Sequence, residues 1–275
     1  MLHVNKPLTF LEEKLKFLSK KLSRHVETVF RPKMSKLGFL LVVIIDSLST
    51  ALSCGGRTLL HAGITQYDKT IILDAHNRAR QVVALGQIAN QPPAQNMAKM
   101  IWSEELAAKA QQWAMQCSSY VHDPNRHRGH HYVGQNIATK WSTRAPVNYY
   151  ESQADWIGDA ISKWFEENRF YNFNGFRGGK TGHYTQMVWA ESVSVGCGFV
   201  YYLDGKRYTK KYVCNYGPSG NVQGEVPYEK GYPSCSSHGL IESRTYPGLC
   251  DKLGSHDDNH HYDNNFLYEY YTYVG

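Results

Sequence analysis

The chain has 275 residues, 42% apolar and 20% charged, with a formal net charge of +6. That is an ordinary globular composition, long enough for one large domain with tails and a core that folds alone. The charge is mild and no basic stripe interleaves with aromatics, which argues against a nucleic-acid partner.

Residues 1–33 hold an amphipathic pattern, Leu11, Leu15, Leu18 and Leu22 with lysines between. Met34 then opens "MSKLGFLLVVIIDSLSTALSC". Lys36 supplies a positive start, Leu37 to Ile45 an apolar run, and "ALS" a small-residue cleavage site. Residues 34–53 therefore read as a signal peptide, cut between Ala51 and Gly56. A membrane span needs about 20 apolar residues, and Asp46 stops this run at half that, so an integral membrane protein is not expected. Because Met34 starts a complete signal by itself, residues 1–33 read as a dispensable upstream extension. The six cysteines (Cys54, Cys117, Cys197, Cys214, Cys235, Cys250) form no C-x-x-C pair and all survive cleavage. They predict three disulfides and a secreted, extracellular protein.

Asp68 is placed to cap a helix running to about Val83, with Ile72, Ala75, Ala79 and Val82 at helical spacing. "NQPPAQNM" breaks the chain. Ser103 caps a second helix whose first turn holds Glu104 and Glu105. "HDPNRHRGHH" is a loop. A third helix is predicted from Ser152 to Asn168, with Trp156, Ala160, Ile161, Trp164 and Phe165 as its core face. The aromatic loop "RFYNFNGFRGGK" follows. Strands are predicted at Thr185–Trp189, Val195–Tyr202 and Lys211–Asn215, the last two joined by a hairpin turn at Asp204-Gly205. After Cys235 the composition turns to His, Asp, Asn and Tyr, too poor in aliphatics for a core of its own. Helices followed by a short antiparallel sheet read as α+β, a sheet covered by helices.

"GHYTQMVW", "VGCGF" and "YVCNYGPSGN", with "DAHNRAR", "WSEELAAKAQQWA" and "VGQNIA" in order before them, resemble the CAP superfamily of cysteine-rich secretory proteins, antigen 5 and pathogenesis-related proteins. "KTGHYTQMVWA" and "CNYGPSGN" are most similar to its antigen 5 or venom-allergen-like branch. The resemblance implies a three-layer α-β-α sandwich over residues 54–232, leaving 233–275 as a C-terminal extension with one disulfide and a His/Asp/Tyr-rich tail. It also implies a cavity where two histidines and acids meet. Carried over by position, these are His122, His183 and Glu167, with Glu166 beside the acid and Gln135 where relatives carry a further acid. An amide cannot take up a proton near neutral pH. The implied cavity thus holds Zn²⁺ or another divalent cation weakly, through His122, His183 and Glu167, with Gln135 and Glu166 around them.

Phe170, Tyr171, Phe173 and Phe176 either pack on the core or line a pocket. In the resembled family this loop is associated with sterol, and a neighbouring cleft with fatty acid. His256, His260 and His261 give the tail a metal-binding composition and, more simply, a solvated one. No G-x-S-x-G or H-E-x-x-H motif supplies a nucleophile or zinc protease site, so the expectation is a non-catalytic binding protein. A metal-assisted hydrolase at the same cavity is the alternative. Another is a host-directed toxin or immunomodulator acting on a host or extracellular protein. Channel-blocking relatives carry a separate cysteine-rich domain, and two tail cysteines are too few for one. Cys197 and Cys214 lie on adjacent predicted strands, and the family pairs them. Three pairings remain for the other four, of which Cys235–Cys250 is favoured by closeness, leaving Cys54 with Cys117.

Overall fold

The computed structural model describes residues 54–118, 120–127 and 132–252. The signal peptide, the upstream extension, His130, His131 and the tail histidines lie outside the described residues. Five strands form one sheet: β1 (Thr58–Ala62), β2 (Ile101–Trp102), β3 (Gly134–Ser142), β4 (Ser194–Asp204) and β5 (Arg207–Gly217). The order is β1-β4-β5-β3, antiparallel throughout, and the short β2 adds to β4 in parallel. The hairpin between β4 and β5 turns at Gly205-Lys206, with Asp204 opposite Arg207. Strands β1 and β3 were not predicted. β1 is five residues long and half exposed, and in "GQNIATKWS" two of the three buried residues, Gln135 and Asn136, are polar, so no apolar alternation marks it.

The two sheet faces bury different helices. Helix α1 (Gln66–Ala84) lies with the third-helix region over Phe199, Tyr201, Tyr212 and Tyr216. Helix α2 (Glu104–Ala114) covers Val200, Tyr202, Val213 and Ile137, together with Cys54 and Cys117. This is the three-layer α-β-α sandwich. α2 sits close because Gly196 and Gly198 face it: a Cβ on Gly198 would lie 2.3 Å from the Gln111 nitrogen, and one on Gly196 2.3 Å from the Ala107 nitrogen. The motif "VGCGF" is thus a helix-packing groove.

Local chemistry explains the element ends, with corrections. α1 is capped by Thr65, not Asp68. Asp68 closes the capping box instead: its side chain accepts from the Thr65 N–H at 2.8 Å, while Thr65 Oγ1 accepts from the Asp68 N–H. Ser103 caps α2 as predicted. The single third helix is broken. A turn, α3 (Tyr149–Ser152), ends at extended Gln153. Asp155 then accepts from the Gly158 N–H at 2.8 Å and restarts the helix. A π-helical turn (Ile157–Ile161), α4 (Ser162–Phe165) and a 3₁₀ turn (Glu166–Phe170) run on from there. Its core face is as the periodicity requires, since Trp156, Ala160, Ile161, Trp164 and Phe165 are all buried.

The predicted strand Thr185–Trp189 is helical instead: α5 spans Gly182–Met187. Every residue from Tyr184 to Ala190 is buried, so no exposed face exists for the alternation to report. All three disulfides form: Cys54–Cys117, Cys197–Cys214 and Cys235–Cys250. The segment 233–252 is docked on the domain rather than loose. Leu249 joins the main core, Cys250 exchanges backbone hydrogen bonds with Met97 and Lys99, and Tyr246 donates to Asp74 at 2.8 Å. It adds a small hairpin, β6 (Ile241–Glu242) with β7 (Cys250–Asp251). Among the described residues no helix is long and apolar enough to cross a membrane.

Candidate functional site

α5 presents His183 one residue into the helix, and its N-terminus is held from outside. Thr181 gives no side-chain cap. Glu167, from the 3₁₀ turn, supplies one: Oε2 accepts from the backbone N–H of His183 at 3.0 Å and of Tyr184 at 3.1 Å. Its other oxygen, Oε1, accepts from His183 Nδ1 at 2.7 Å. The carboxylate is a tertiary helix cap and a clamp on the ring at once. The ring also stacks on Trp164, centroids 6.0 Å apart. Because the carboxylate can only accept, Nδ1 is the donor, which in the neutral ring leaves the lone pair on Nε2.

The same logic fixes His122, which follows α2. Gln135 Oε1 accepts from the Asp123 N–H at 3.0 Å, so it is an acceptor for His122 Nδ1 as well, also at 3.0 Å. His122 Nε2 is then bare too. The Gln135 amide is used whole, since its Nε2 donates to Asn215 Oδ1 at 2.9 Å and Asn215 donates to the Leu106 carbonyl. A glutamate there would set an oxygen against Asn215 Oδ1. Partial burial, opposed by the Gln135 hydrogen bond, holds His122 below the ordinary histidine pKa. His122 therefore stays neutral further into acid than a free imidazole.

The predicted set does not assemble uniformly. His122, Gln135, Glu167 and His183 form two oriented histidine pairs, and the charge of His183 is felt at His122. Both Glu167 oxygens are engaged on α5. Glu166 pairs with Arg169 at the surface, 2.9 Å away. Among the described residues no three His, Cys, Asp or Glu side chains gather as a metal-ligand group. His127 accepts from the Val133 N–H through Nδ1 at 3.1 Å. In the aromatic loop, Tyr171 is buried against Tyr184, and Phe173 packs on Tyr228, centroids 4.8 Å apart. Phe176 is half-buried, and its backbone bonds to Gly224 and Glu225. Phe170 alone is widely exposed, at 58%.

Sequence reading passed over the residues behind the two histidines. Asn136 donates to the His183 carbonyl at 3.0 Å and to the Tyr216 hydroxyl at 3.2 Å. Tyr216 reaches buried His76 Nε2 at 2.9 Å, while His76 Nδ1 bonds the Ile72 carbonyl. Asn221 ties α5 from the other side, accepting from Thr185 and donating to Gly182. All lie inside the motif blocks "DAHNRAR", "VGQNIA" and "CNYGPSGN", which was the only signal available. Burial pushes the His76 pKa down to about 4. Folded His76 thus resists a proton that the unfolded chain accepts near pH 6.5. The His76 contribution is full above pH 6.5 and should fall by about 3 kcal/mol as pH drops towards 4, adding up to one proton to the slope. Unfolding free energies measured across that range should show a shallower slope in His76→Gln than in wild type.

The family model "CAP: Cysteine-rich secretory protein family" matches residues 73–216. Salivary antigen-5 of Dipetalogaster maximus is 37% identical over 221 residues, covering 78% of this chain and 87% of that protein. Venom allergen 5 of Vespula vidua is 42% identical over 193 residues, covering 66% of this chain and 89% of that protein. The crystal structure of NaASP2 with Zn²⁺ aligns at a TM-score of 0.55 and 30% identity, over 69% of this chain and 97% of that one. With that match over more than half its length, and with the sandwich, the hairpin disulfide and the motif blocks in place, the chain belongs to the CAP, or cysteine-rich secretory protein, family.

Proposed function

We propose that this is a secreted, venom-allergen-like binding protein whose cavity takes a divalent cation, zinc foremost, through His122 and His183. The observation that carries the reading is the paired tautomers: Gln135 and Glu167 hold the two Nδ1 protons, which leaves two bare Nε2 atoms. Neutral imidazole suits Zn²⁺, and a hydrogen-bonded partner on the far nitrogen is the usual support for such a ligand. Two protein ligands leave open positions for water, so binding is weak. Glu167 orients His183 from behind rather than coordinating. NaASP2 was crystallised with Zn²⁺, and relatives are named for saliva and venom. Both support the metal and the extracellular setting.

No catalysis is proposed. The Glu167 carboxylate is spent on a helix N-terminus, and Gln135 takes no proton. A sterol or fatty acid is the second ligand class, favoured by exposed Phe170 at the edge of the aromatic loop. Tyr171 and Phe173 serve the core, so Phe170→Ala should weaken sterol binding while leaving the fold intact.

Titration calorimetry with zinc chloride tests the metal reading. Wild type should bind, His183→Ala should not, and affinity should fall in acid as ligand histidines take protons. If His183→Ala binds zinc as wild type does, the ion sits elsewhere, on the tail histidines for instance, and His183 only supports α5.

A further inference from the structure

A groove lies at the other end of β3 and β5 from the histidines, over the edge of the core that holds Tyr201. Its volume is about 480 Å³, a size usual for small-molecule clefts. Tyr201, Tyr208 and Lys210 line it from β4 and β5, Lys140 from β3, and Arg144, Tyr150, Glu151 and Asp155 from the segment that follows β3. None of these residues takes part in the histidine cavity.

Its charges are already answered within the protein. Lys140 bonds Asp159 at 2.5 Å. Arg144 pairs with Glu151 at 3.1 Å. Lys210 donates to the Gln153 carbonyl at 2.6 Å, and burial lowers its pKa. Three lining cations face two lining acids, with Asp159 beneath, so no net field selects an anion or a cation. The lining is equally unsuited to an acyl chain, because its ion pairs and hydroxyls would lose their water against it and gain nothing in return. What remains is a set of fixed donors and acceptors between tyrosine rings. Tyr201 and Tyr208 lie with ring centroids 6.4 Å apart, and Tyr150 stands 82% exposed at the edge, its ring braced by Tyr149 at 6.0 Å. Tyrosine offers a broad apolar face and a polar tip at low entropic cost. A ligand with apolar C–H faces, a rim of hydroxyls and no charge matches this lining.

We infer that this groove binds a neutral oligosaccharide, with Tyr150 as the stacking platform. The test is saturation-transfer NMR and calorimetry on the whole protein with cellotetraose, mannotetraose and chitotetraose, and with a heparin tetrasaccharide as the charged comparison. At least one neutral tetrasaccharide should bind wild type. Tyr150→Ala should weaken it about tenfold or more, a loss of about 1.4 kcal/mol. Tyr150→Phe should stay within about twofold because the ring face is kept. His183→Ala should bind as wild type does, which separates this groove from the metal cavity. Tyr150 is too exposed for its loss to unfold the chain. Failure of all three neutral sugars to bind, binding that survives Tyr150→Ala, or a preference for the heparin fragment would each overturn the proposal.

Discussion

Arg80→Met should unfold the protein at far lower denaturant than wild type, with a stability loss above about 3 kcal/mol. Arg80 is fully buried, and among the described residues no carboxylate pairs with it. Its guanidinium instead donates to four backbone carbonyls, those of Ala98, Met187, Trp189 and Ala190, at 2.7–3.0 Å. Three of those carbonyls close the end of α5 and the turn into β4, and the fourth, Ala98, lies just before β2. Burial pulls the Arg80 pKa down to about 9, still above neutral, so the group stays charged and depends on these bonds. Methionine keeps the aliphatic stem but leaves every carbonyl without its donor, and each unsatisfied buried group costs about 1–3 kcal/mol. Arg80→Lys should rescue little, because a single ammonium cannot reproduce the planar fork. Urea titration followed by tryptophan fluorescence decides it. A midpoint near wild type would mean that water replaces the guanidinium and that the end of α5 is more open than its burial indicates.

The second large effect is expected at Glu167, where stability and metal affinity should fall together. Glu167→Ala removes three hydrogen bonds from one carboxylate, two to the first amides of α5 and one to His183 Nδ1. Bonds to a charged group are worth about 1.5–3 kcal/mol each before relaxation and water recover part, so a net loss of about 2–4 kcal/mol is expected. Zinc affinity should drop about 10–100-fold, the usual cost of losing a residue that orients a ligand histidine. Glu167→Gln should recover part of both, since an amide oxygen still accepts. The contrast with His183→Ala is diagnostic: an orienting residue weakens binding and a ligand abolishes it. If Glu167→Ala abolishes zinc binding as fully as His183→Ala while remaining folded, the carboxylate is itself a ligand.

Much of the helix and hairpin content was legible in the chain because its signals are local. Ser103 announces α2, the 3.6-residue spacing of Trp156, Ala160, Ile161, Trp164 and Phe165 marks the third-helix face, and Asp204-Gly205 marks the hairpin that sets Cys197 opposite Cys214. Each is read from a few adjacent residues whose backbone preferences or periodicity are enough. The family resemblance set His122, Glu167 and His183 as ligands of one cavity with Gln135 beside them, and the hydrogen bonds of Glu167 to His183 and to the first amides of α5 appear only in the structure. Tertiary structure alone decided that "GHYTQMVW" is a helix, because its ends are held by Glu167 and Arg80, 16 residues before His183 and 107 before Met187. A segment buried on every side carries no periodicity to reveal its conformation. The roles of Glu167 and of the aromatic loop were hidden for the same reason. A carboxylate's partners and a ring's neighbours come from distant parts of the chain, and Phe170 differs from Tyr171 only in which side of the turn faces water.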